Sequence, residues 1–304
     1  MEKTPENLVT IIILTWNKLK FTKYCLYYLY RYTKYPNWDL IVIDNGSTDK
    51  TQPFLKEFQE THDNCQIILN SRNLGFARGN NQGIKKAKGQ YLVILNNDVF
   101  VTPDWLTELV NCSNSNPNVG IVGTKLLYPD TRKIQHAGVV FGPNGKPFHI
   151  YRNQKSTDNR VNNPKLYNAV TAACMLVKRS VITELGGFDE RYKIGSYEDV
   201  DFCLRARLKK YKILYCPKSE MFHYEYGSSR QIERFNEIAK KNFNIFVKKW
   251  GGLFKYYTDP ALTPYLRLKY QFLCLRFIEA IKNLIPSKVW RNLQKLIYFG
   301  FSTY

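Results

Sequence analysis

Long apolar runs are absent from this 304-residue chain. No segment approaches the roughly 18 uninterrupted apolar residues that a membrane-spanning helix needs. The early apolar segment Leu8–Leu14 is short, follows Pro5 and Glu6, and has no small-residue cleavage site behind it. We therefore predict a buried strand there, and neither a signal peptide nor a membrane span.

Cysteine patterns that hold metals or disulfides are also missing. The seven cysteines are an odd number and none belongs to a CxxC pair, so neither a zinc ribbon nor a disulfide framework is indicated. A reducing, cytoplasmic setting is the simpler prediction. The glycines form neither the GxGxxG of dinucleotide-binding proteins nor the GK[ST] of phosphate loops, which argues against both classes.

Acidic residues are scarce, with 25 of them against 45 lysines and arginines and a formal net charge of +20. This balance favours a polyanionic partner: nucleic acid, acidic phospholipid or a diphosphate-bearing substrate. No helix-turn-helix, zinc or RNA-recognition signature accompanies the charge, which argues against nucleic acid. A hydrophobic fraction of 44% excludes a disordered chain.

Strand and helix patterns alternate through the first third of the chain. Continuous apolar segments predict strands, and apolar residues at helical spacing predict a helix over Leu19–Tyr32. Four strands are predicted, over Leu8–Leu14, Asp39–Ile43, Gln66–Leu69 and the run that begins at Tyr91. Because each is followed by a helical pattern, the fold class is α/β, with a parallel sheet covered by helices.

Polar side chains stand where these strands end. The fourth strand runs directly into Asn96-Asn97-Asp98, and ligands of open α/β sheets bind outside the carboxyl ends of the strands. A carboxylate such as Asp98 can hold one side of a divalent cation there, although a plain exit turn is the alternative. Nucleotide binding is assigned to Asn97 and to residues near the other strand ends: Thr15, Asn17, Asp44, Asn45, Ser47, Asn73 and Arg78.

Two of these positions suggest a specific contact. Asp44 could accept a hydrogen bond from the imide N–H of a pyrimidine, whereas with Ser47 it could simply form a turn and a helix cap. The glycines and amides after Asn73 open a helix whose N-terminal N–H groups could meet an anion. Arg78 could add a charge-assisted contact to phosphate.

A second acidic cluster opens a later helix. Glu198, Asp199 and Asp201 lie in its first turn, and its buried stripe is predicted to be Val200, Leu204 and Leu208. The acids could complement the helix dipole, with Asp201 paired to Arg205, or one of them could face the crevice as a general base.

Several predictions concern the rest of the second half. A loop-rich insertion covers Tyr128–Arg160, with a strand-like stretch Ala137–Phe141 inside it, and a strand is predicted over Val170–Val177. His223 follows a predicted strand over Lys212–Cys216 and is either a core histidine or a metal ligand.

A basic helix is predicted over Ser229–Lys249, ending at Trp250-Gly251-Gly252. Two basic amphipathic helices follow in residues 257–304, and they either lie on an acidic membrane surface or pack against protein, including a second copy of the chain.

Together these motifs resemble the family 2 glycosyltransferases, and within them the rhamnosyltransferase-like branch of bacterial polysaccharide enzymes. The resemblance rests on five motifs in order: Asp44-Asn45-Gly46-Ser47-Thr48-Asp49, Asn73-Leu74-Gly75-Phe76-Ala77, Asn96-Asn97-Asp98, Gly186-Gly187-Phe188-Asp189-Glu190, and Glu198-Asp199-Val200-Asp201 with His223 behind it. It implies a GT-A fold, a Rossmann-like and mostly parallel sheet flanked by helices, which we predict over residues 1–228. The basic helical patterns described above predict a helical extension over residues 229–304.

The resemblance also implies an activity. This is the inverting transfer of a sugar from a nucleoside diphosphate donor, dTDP-rhamnose or a UDP-sugar, to a hydroxyl of a saccharide or lipid-linked acceptor in cell-surface polysaccharide synthesis. Asp199 would be the base, with Glu198 as the second candidate, and Asp98 and His223 would hold Mn²⁺ or Mg²⁺. Asn96 stands where the family has the first aspartate of its DXD motif. One metal-binding carboxylate therefore remains, which leaves open a catalytically silent nucleotide-sugar-binding scaffold.

Overall fold

The computed structural model of the chain describes residues 7–142, 145–225 and 235–254. The amphipathic helices predicted beyond residue 256 lie outside these residues. Its first half contains the four predicted strand and helix units, in the order β1 (Val9–Thr15), α1 (Leu19–Tyr32), β2 (Trp38–Asp44), α2 (Thr51–Glu60), β3 (Cys65–Leu69), α3 (Phe76–Lys86), β4 (Tyr91–Asn96), β5 (Val99–Val101) and α4 (Trp105–Asn114).

The four principal strands are parallel, as predicted, and lie in the order β3-β2-β1-β4. Thr15 lies opposite Asp44 and Leu14 opposite Asn96, so the polar strand ends gather at one edge of the sheet. The chain places β2 and β3 on one side of β1 and then β4 on the other side. The gap between the ends of β1 and β4 is therefore a topological switch point. Such a gap is where open α/β sheets bind ligands.

The second half extends the sheet. Its elements are β6 (Val119–Leu127), β7 (Ile134–His136), β8 (Val139–Phe141), β9 (Pro147–His149), a short 3-10 helix (Asn159–Val161), β10 (Lys165–Tyr167), β11 (Cys174–Lys178), α5 (Arg179–Leu185), α6 (Glu198–Leu208), β12 (Lys212–His223) and α7 (Phe235–Phe254). β11 inserts antiparallel between β4 and β6, and β12 continues parallel to β6. The sheet is therefore mixed, with its parallel part at the predicted site.

Hydrophobic side chains cover both faces of the sheet. Alternate residues of β1 point to opposite sides, with Ile11 and Ile13 packing in the layer of α1 and Ile12 in the layer of α3 and α6. Burying one such side chain stabilises the fold by roughly 1.5–3 kcal/mol. The continuous apolar strands of the sequence thus reflect burial on both faces.

Two predictions are wrong at the ends of helices. Leu208 is 65% exposed, because α6 ends there and the chain turns away through Lys210 in a left-handed conformation. Helix α7 does not end at Trp250-Gly251-Gly252 but continues to Phe254. Trp250 is buried against the sheet domain, and tertiary packing of this kind outweighs the low helix propensity of glycine.

Two strand boundaries are also wrong. The strand predicted over Val170–Val177 begins only at Cys174, because the residues before it turn along the cleft described below. His223 does not follow a strand that ends at Cys216. It is the last residue of β12, which passes an irregularity between Cys216 and Glu220 and pairs onward with β5.

Helix α7 belongs to the same compact unit as the sheet. Its Phe246 and Trp250 are buried in the layer that contains α6. The division of the chain at residue 229 remains a prediction. Within the ranges that the structure describes, no helix is both long enough and apolar enough to cross a bilayer.

Candidate active site

A cleft of about 300 Å³ opens at the switch point between β1 and β4. Residues from distant parts of the chain line it, including the ends of both strands, the turn before β11, the start of α6 and the end of β12. Eight of the predicted site residues line this cleft: Thr15, Asn45, Asn73, Asn97, Asp98, Glu198, Asp199 and His223.

Asp98 and His223 face each other in the cleft. Asp98 lies in the turn between β4 and β5, and β5 pairs with β12 so that His223 stands opposite Val99. The backbone N–H of Tyr224 donates to the carbonyl oxygen of Asp98, which fixes the turn. As a result, Nε2 of His223 lies 3.2 Å from Oδ1 of Asp98.

Gln135 on β7 orients this histidine. Its Oε1 lies 2.6 Å from Nδ1 of His223, and its Nε2 donates to the carbonyl oxygen of the same residue at 3.0 Å. An amide oxygen can only accept, so Nδ1 donates its proton to Gln135, and the ring is held with Nε2 facing Asp98. Hydrogen bonds of this kind orient histidine ligands in metal sites.

The pair fits a divalent cation. A carboxylate oxygen and an imidazole lone pair are both ligands that Mn²⁺ accepts, and they converge on one point of the cleft. In the described part of the chain, no group of three or more His, Cys, Asp and Glu side chains is arranged to hold a metal. A cation between Asp98 and His223 would therefore complete its coordination with water and substrate phosphate oxygens.

The two acids at the start of α6 differ in their surroundings. Asp199 accepts from the backbone N–H of Val200 at 2.8 Å and of Ala172 at 3.1 Å. Glu198 is only 5% exposed, and its Oε2 has no hydrogen-bond partner among the described residues.

Burial raises the pKa of both carboxyl groups. For Glu198 burial and the neighbouring Asp199 charge raise the pKa to about 8. The two backbone N–H groups oppose the effect of burial on the pKa of Asp199. The negative charge of the pair therefore resides on Asp199, which makes this residue the better base of the two.

Asp201 has a structural role. It is completely buried and accepts from Arg205 Nε at 2.9 Å, as predicted, and from Trp250 Nε1 at 2.8 Å. The hydroxyl of Tyr192 also donates to it, at 3.2 Å. With its oxygens engaged in this way, Asp201 anchors the first turn of α6.

The nucleotide-binding candidates in the cleft are tied to one another. Asn97 Nδ2 donates to the hydroxyl oxygen of Thr15 at 3.1 Å and to that of Thr22 at 3.2 Å, which fastens the turn after β4 to β1. Asn45 Nδ2 donates to Asn73 Oδ1 at 2.9 Å and thereby shapes the loop before α3. Thr15, Asn45, Asn73 and Asn97 all line the cleft.

The other nucleotide-binding candidates do not line the cleft. Oδ2 of Asp44 accepts from the backbone N–H groups of Gly46 and Ser47. Asp44 therefore stabilises the turn after β2, which was the alternative to a contact with the base. Its buried Oδ1 has no partner among the described residues. Ser47 Oγ accepts from the backbone N–H of Asn17 at 2.6 Å and joins the two loops. The side chain of Arg78 is 60% exposed and lies 4.0 Å from that of Glu190.

Sequence reasoning missed a second cleft, of about 320 Å³, that shares Ser196, Glu198 and Asp199 with the first. Its remaining walls are mostly apolar or aromatic and come from the β8–β9 hairpin, the start of α6 and α7: Val139, Pro147, Phe148, His149, Tyr197, Val200 and Ala239. No motif signals this cleft, because the hairpin lies within the loop-rich insertion. The acid pair thus borders two clefts.

Comparison with known proteins gives one family match. The family model for Glycosyl transferase family 2 matches residues 10–186. An uncharacterized protein of Sinorhizobium fredii is 32% identical, and the match covers 88% of this chain and 30% of that protein. The O-antigen biosynthesis protein RfbC of Myxococcus xanthus is 31% identical, and the match covers 78% of this chain and 18% of RfbC. The chain therefore spans less than a third of these two relatives. An N-acetylglucosaminyl-diphospho-decaprenol L-rhamnosyltransferase of Mycobacterium tuberculosis is 24% identical over 62% of this chain and 67% of that protein.

Solved structures show the same fold. GalNAc-T7, determined with UDP, GalNAc and Mn²⁺, aligns with a TM-score of 0.67 at 15% identity, over 82% of this chain and 50% of that one. The mannosyltransferase PcManGT from Pyrobaculum calidifontis, in complex with GDP-Man and Mn²⁺, aligns with a TM-score of 0.58 at 17% identity. This alignment covers 97% of the present chain and 81% of PcManGT. The likeness shows that the fold is GT-A.

Proposed function

Because the chain belongs to glycosyl transferase family 2, we propose that it is a hexosyltransferase-type enzyme, which transfers a sugar from a nucleoside diphosphate donor to an acceptor hydroxyl. The observation that carries this proposal is that the Asp98–His223 pair and the Asp199–Glu198 pair line one cleft. The first pair suits a diphosphate leaving group and the second suits an attacking hydroxyl. The names of RfbC and of the rhamnosyltransferase support cell-surface polysaccharide synthesis as the setting.

The donor would occupy the cleft between β1 and β4. Its diphosphate would lie beside Asp98 and His223, where a divalent cation, Mn²⁺ or Mg²⁺, would neutralise the charge that develops as the C1–O bond breaks. Asp44 lies beside this cleft, opposite Thr15, and its buried Oδ1 has no partner among the described residues, so we assign it as the acceptor for the imide N–H of a pyrimidine. We therefore propose dTDP-rhamnose or a UDP-sugar as the donor.

The acceptor would enter through the second cleft. Its apolar and aromatic walls, including Phe148 and Tyr197, suit the carbon face of a sugar, and Asp199 is among the residues that line it. Asp199 takes the proton of the acceptor hydroxyl while the oxygen bonds to C1 of the donor. If attack occurs on the face opposite the departing diphosphate, the configuration at C1 inverts.

One observation favours a second candidate function. Asn96 lines the cleft without a carboxylate, so a scaffold that binds nucleotide sugars without turnover is the alternative. The two functions differ in whether a bound donor reacts.

The test is donor turnover across dTDP-rhamnose, UDP-sugars and GDP-sugars, with saccharide and lipid-linked acceptors, with and without Mn²⁺ or Mg²⁺. We expect one donor to be consumed in a metal-dependent way, and both Asp199→Asn and Asp98→Ala to lose turnover by at least ~100-fold. Asp63→Asn, an exposed aspartate at the opposite edge of the sheet, is the matched control and should retain turnover. Donor binding without turnover under all conditions would support the scaffold instead.

A further inference from the structure

Helix α7 contacts the loop of residues 193–197, which leads directly into Glu198 and Asp199. Asn242 lies on this helix and is only 1% exposed. Its Nδ2 donates to the carbonyl oxygens of Lys193 and Gly195, both at 2.9 Å, and its Oδ1 accepts from the backbone N–H of Lys193 at 3.1 Å. One buried side-chain amide thus uses both of its polar ends on the loop that leads into α6.

This loop is strained. Ile194, Ser196 and Tyr197 have φ values of +63°, +91° and +75°, in the left-handed region that side-chain-bearing residues rarely adopt. A β-branched residue such as Ile194 is especially unfavourable there. Strain of this kind persists only where the surrounding structure holds the backbone in place, and it clusters at functional sites. The next two residues are Glu198 and Asp199.

The restraint comes from two sides. The backbone N–H of Phe76, at the start of α3, donates to the carbonyl oxygen of Ile194 at 2.7 Å, and Asn242 holds the other side. Past the acid pair, α7 also anchors Asp201 through Trp250 Nε1 at 2.8 Å and Lys249 Nζ at 2.7 Å. Helix α7 therefore fixes the chain both before and after Asp199.

We propose that Asn242 is a positioning residue, which holds the strained loop so that Asp199 reaches the acceptor hydroxyl. Its catalytic consequence rests on the proposed function. The family-model match ends at residue 186, so the acid pair and α7 both lie beyond it. By this proposal residues 235–254 are part of the catalytic unit and not an appended segment.

The test compares two isosteric substitutions on one helix in the full chain. Asn242→Asp keeps the acceptor but replaces the N–H donor with an oxygen that faces two carbonyl oxygens. Asn244→Asp introduces the same charge at an exposed position and is the control. A displacement of about 1 Å can lower turnover ~100-fold, so we expect kcat of Asn242→Asp to fall at least tenfold while the donor KM changes less than twofold. A kcat within twofold of the control would overturn the proposal.

A second measurement, hydrogen exchange, tests the proposal even if a variant does not fold or the wild type shows no activity. Hydrogen exchange should be faster at the amides of residues 194–199 in Asn242→Asp, with the amides of β1–β4 unchanged. If that variant does not fold, Asn242→Ala removes the same hydrogen bonds without adding charge and is judged by the same criteria. If the wild type turns over no donor, the proposed function fails, but hydrogen exchange still tests whether Asn242 restrains the loop. Faster exchange of residues 194–199 in the variant supports the restraint, and unchanged exchange overturns it.

Discussion

Gln135 holds His223 through two hydrogen bonds, one to Nδ1 of the ring and one to the backbone carbonyl oxygen. The pair joins β7 to the end of β12 across 88 positions of sequence. Because the ring cannot rotate without losing the Nδ1 bond, Nε2 remains directed at Asp98. A glutamine outside every recognisable motif therefore sets the geometry of the proposed cation site.

Gln135→Ala should weaken Mn²⁺ binding about 10–100-fold, because loss of a hydrogen bond to a ligating histidine releases its orientation. Mn²⁺ titration in the presence of a nucleoside diphosphate measures the effect. Gln154→Ala, at an exposed position of the same insertion, is the control and should bind like the wild type. Equal Mn²⁺ affinity in the two variants would contradict the orienting role of Gln135.

Glu198→Gln should gain stability over the wild type as the pH rises. The folded pKa of Glu198 is raised from 4.5 to about 8, chiefly by burial. Its contribution to stability is therefore fully present below pH 4.5 and is lost as the pH rises toward 8. The variant has no such loss, so the difference should grow by at most ~1.4 kcal/mol per pH unit in this window.

Urea denaturation of both proteins at several pH values tests this expectation. Glu57→Gln, at an exposed position of α2, is the matched control and should follow the wild type at every pH. A difference that stays constant from pH 5 to pH 8 would show that Glu198 ionises normally in the folded protein.

The sequence predicts that Leu204 and Leu208 both lie in the buried stripe of α6, and their burial can be tested directly. Leu204→Ala should cost about 2–5 kcal/mol of unfolding free energy, because Leu204 is buried beside Phe202 in the core. Leu208→Ala should change stability by less than about 0.5 kcal/mol, because Leu208 is largely exposed. Chemical denaturation compares the two, and a large loss from Leu208→Ala would contradict its exposure.

The difference between these leucines shows where sequence prediction reaches its limit. Periodicity places Leu208 on the same helix face as Leu204, but only the tertiary structure shows that the face leaves the core after one more turn. The strands, their order along the chain and the polar strand ends follow from local apolar patterns and could be predicted. Contacts such as Asn242 with Lys193, and Gln135 with His223, join residues 49 and 88 positions apart and leave no local pattern.

Gly75 and Gly252 should respond in opposite ways to alanine. Gly75 has φ +84° and ψ +170°, a region used almost only by glycine, and an added Cβ would lie 2.9 Å from the backbone nitrogen of Ile194. Gly75→Ala should therefore lower the unfolding free energy by about 1–3 kcal/mol and disturb the strained loop before Asp199. Gly252 lies in α7, and among the described residues no heavy atom outside the backbone of its own helix turn lies within 4 Å of an added Cβ.

At that position alanine has only its higher helix propensity to contribute, so Gly252→Ala should stabilise the protein by roughly 0.5–1 kcal/mol. Urea denaturation of the two variants beside the wild type gives both values, and donor turnover reports on the loop. Because the two substitutions add the same methyl group, opposite signs can arise only from the backbone conformation and the neighbouring atoms. Two changes of equal sign would mean that Gly75 is not held against Ile194 or that α7 does not continue through Gly252.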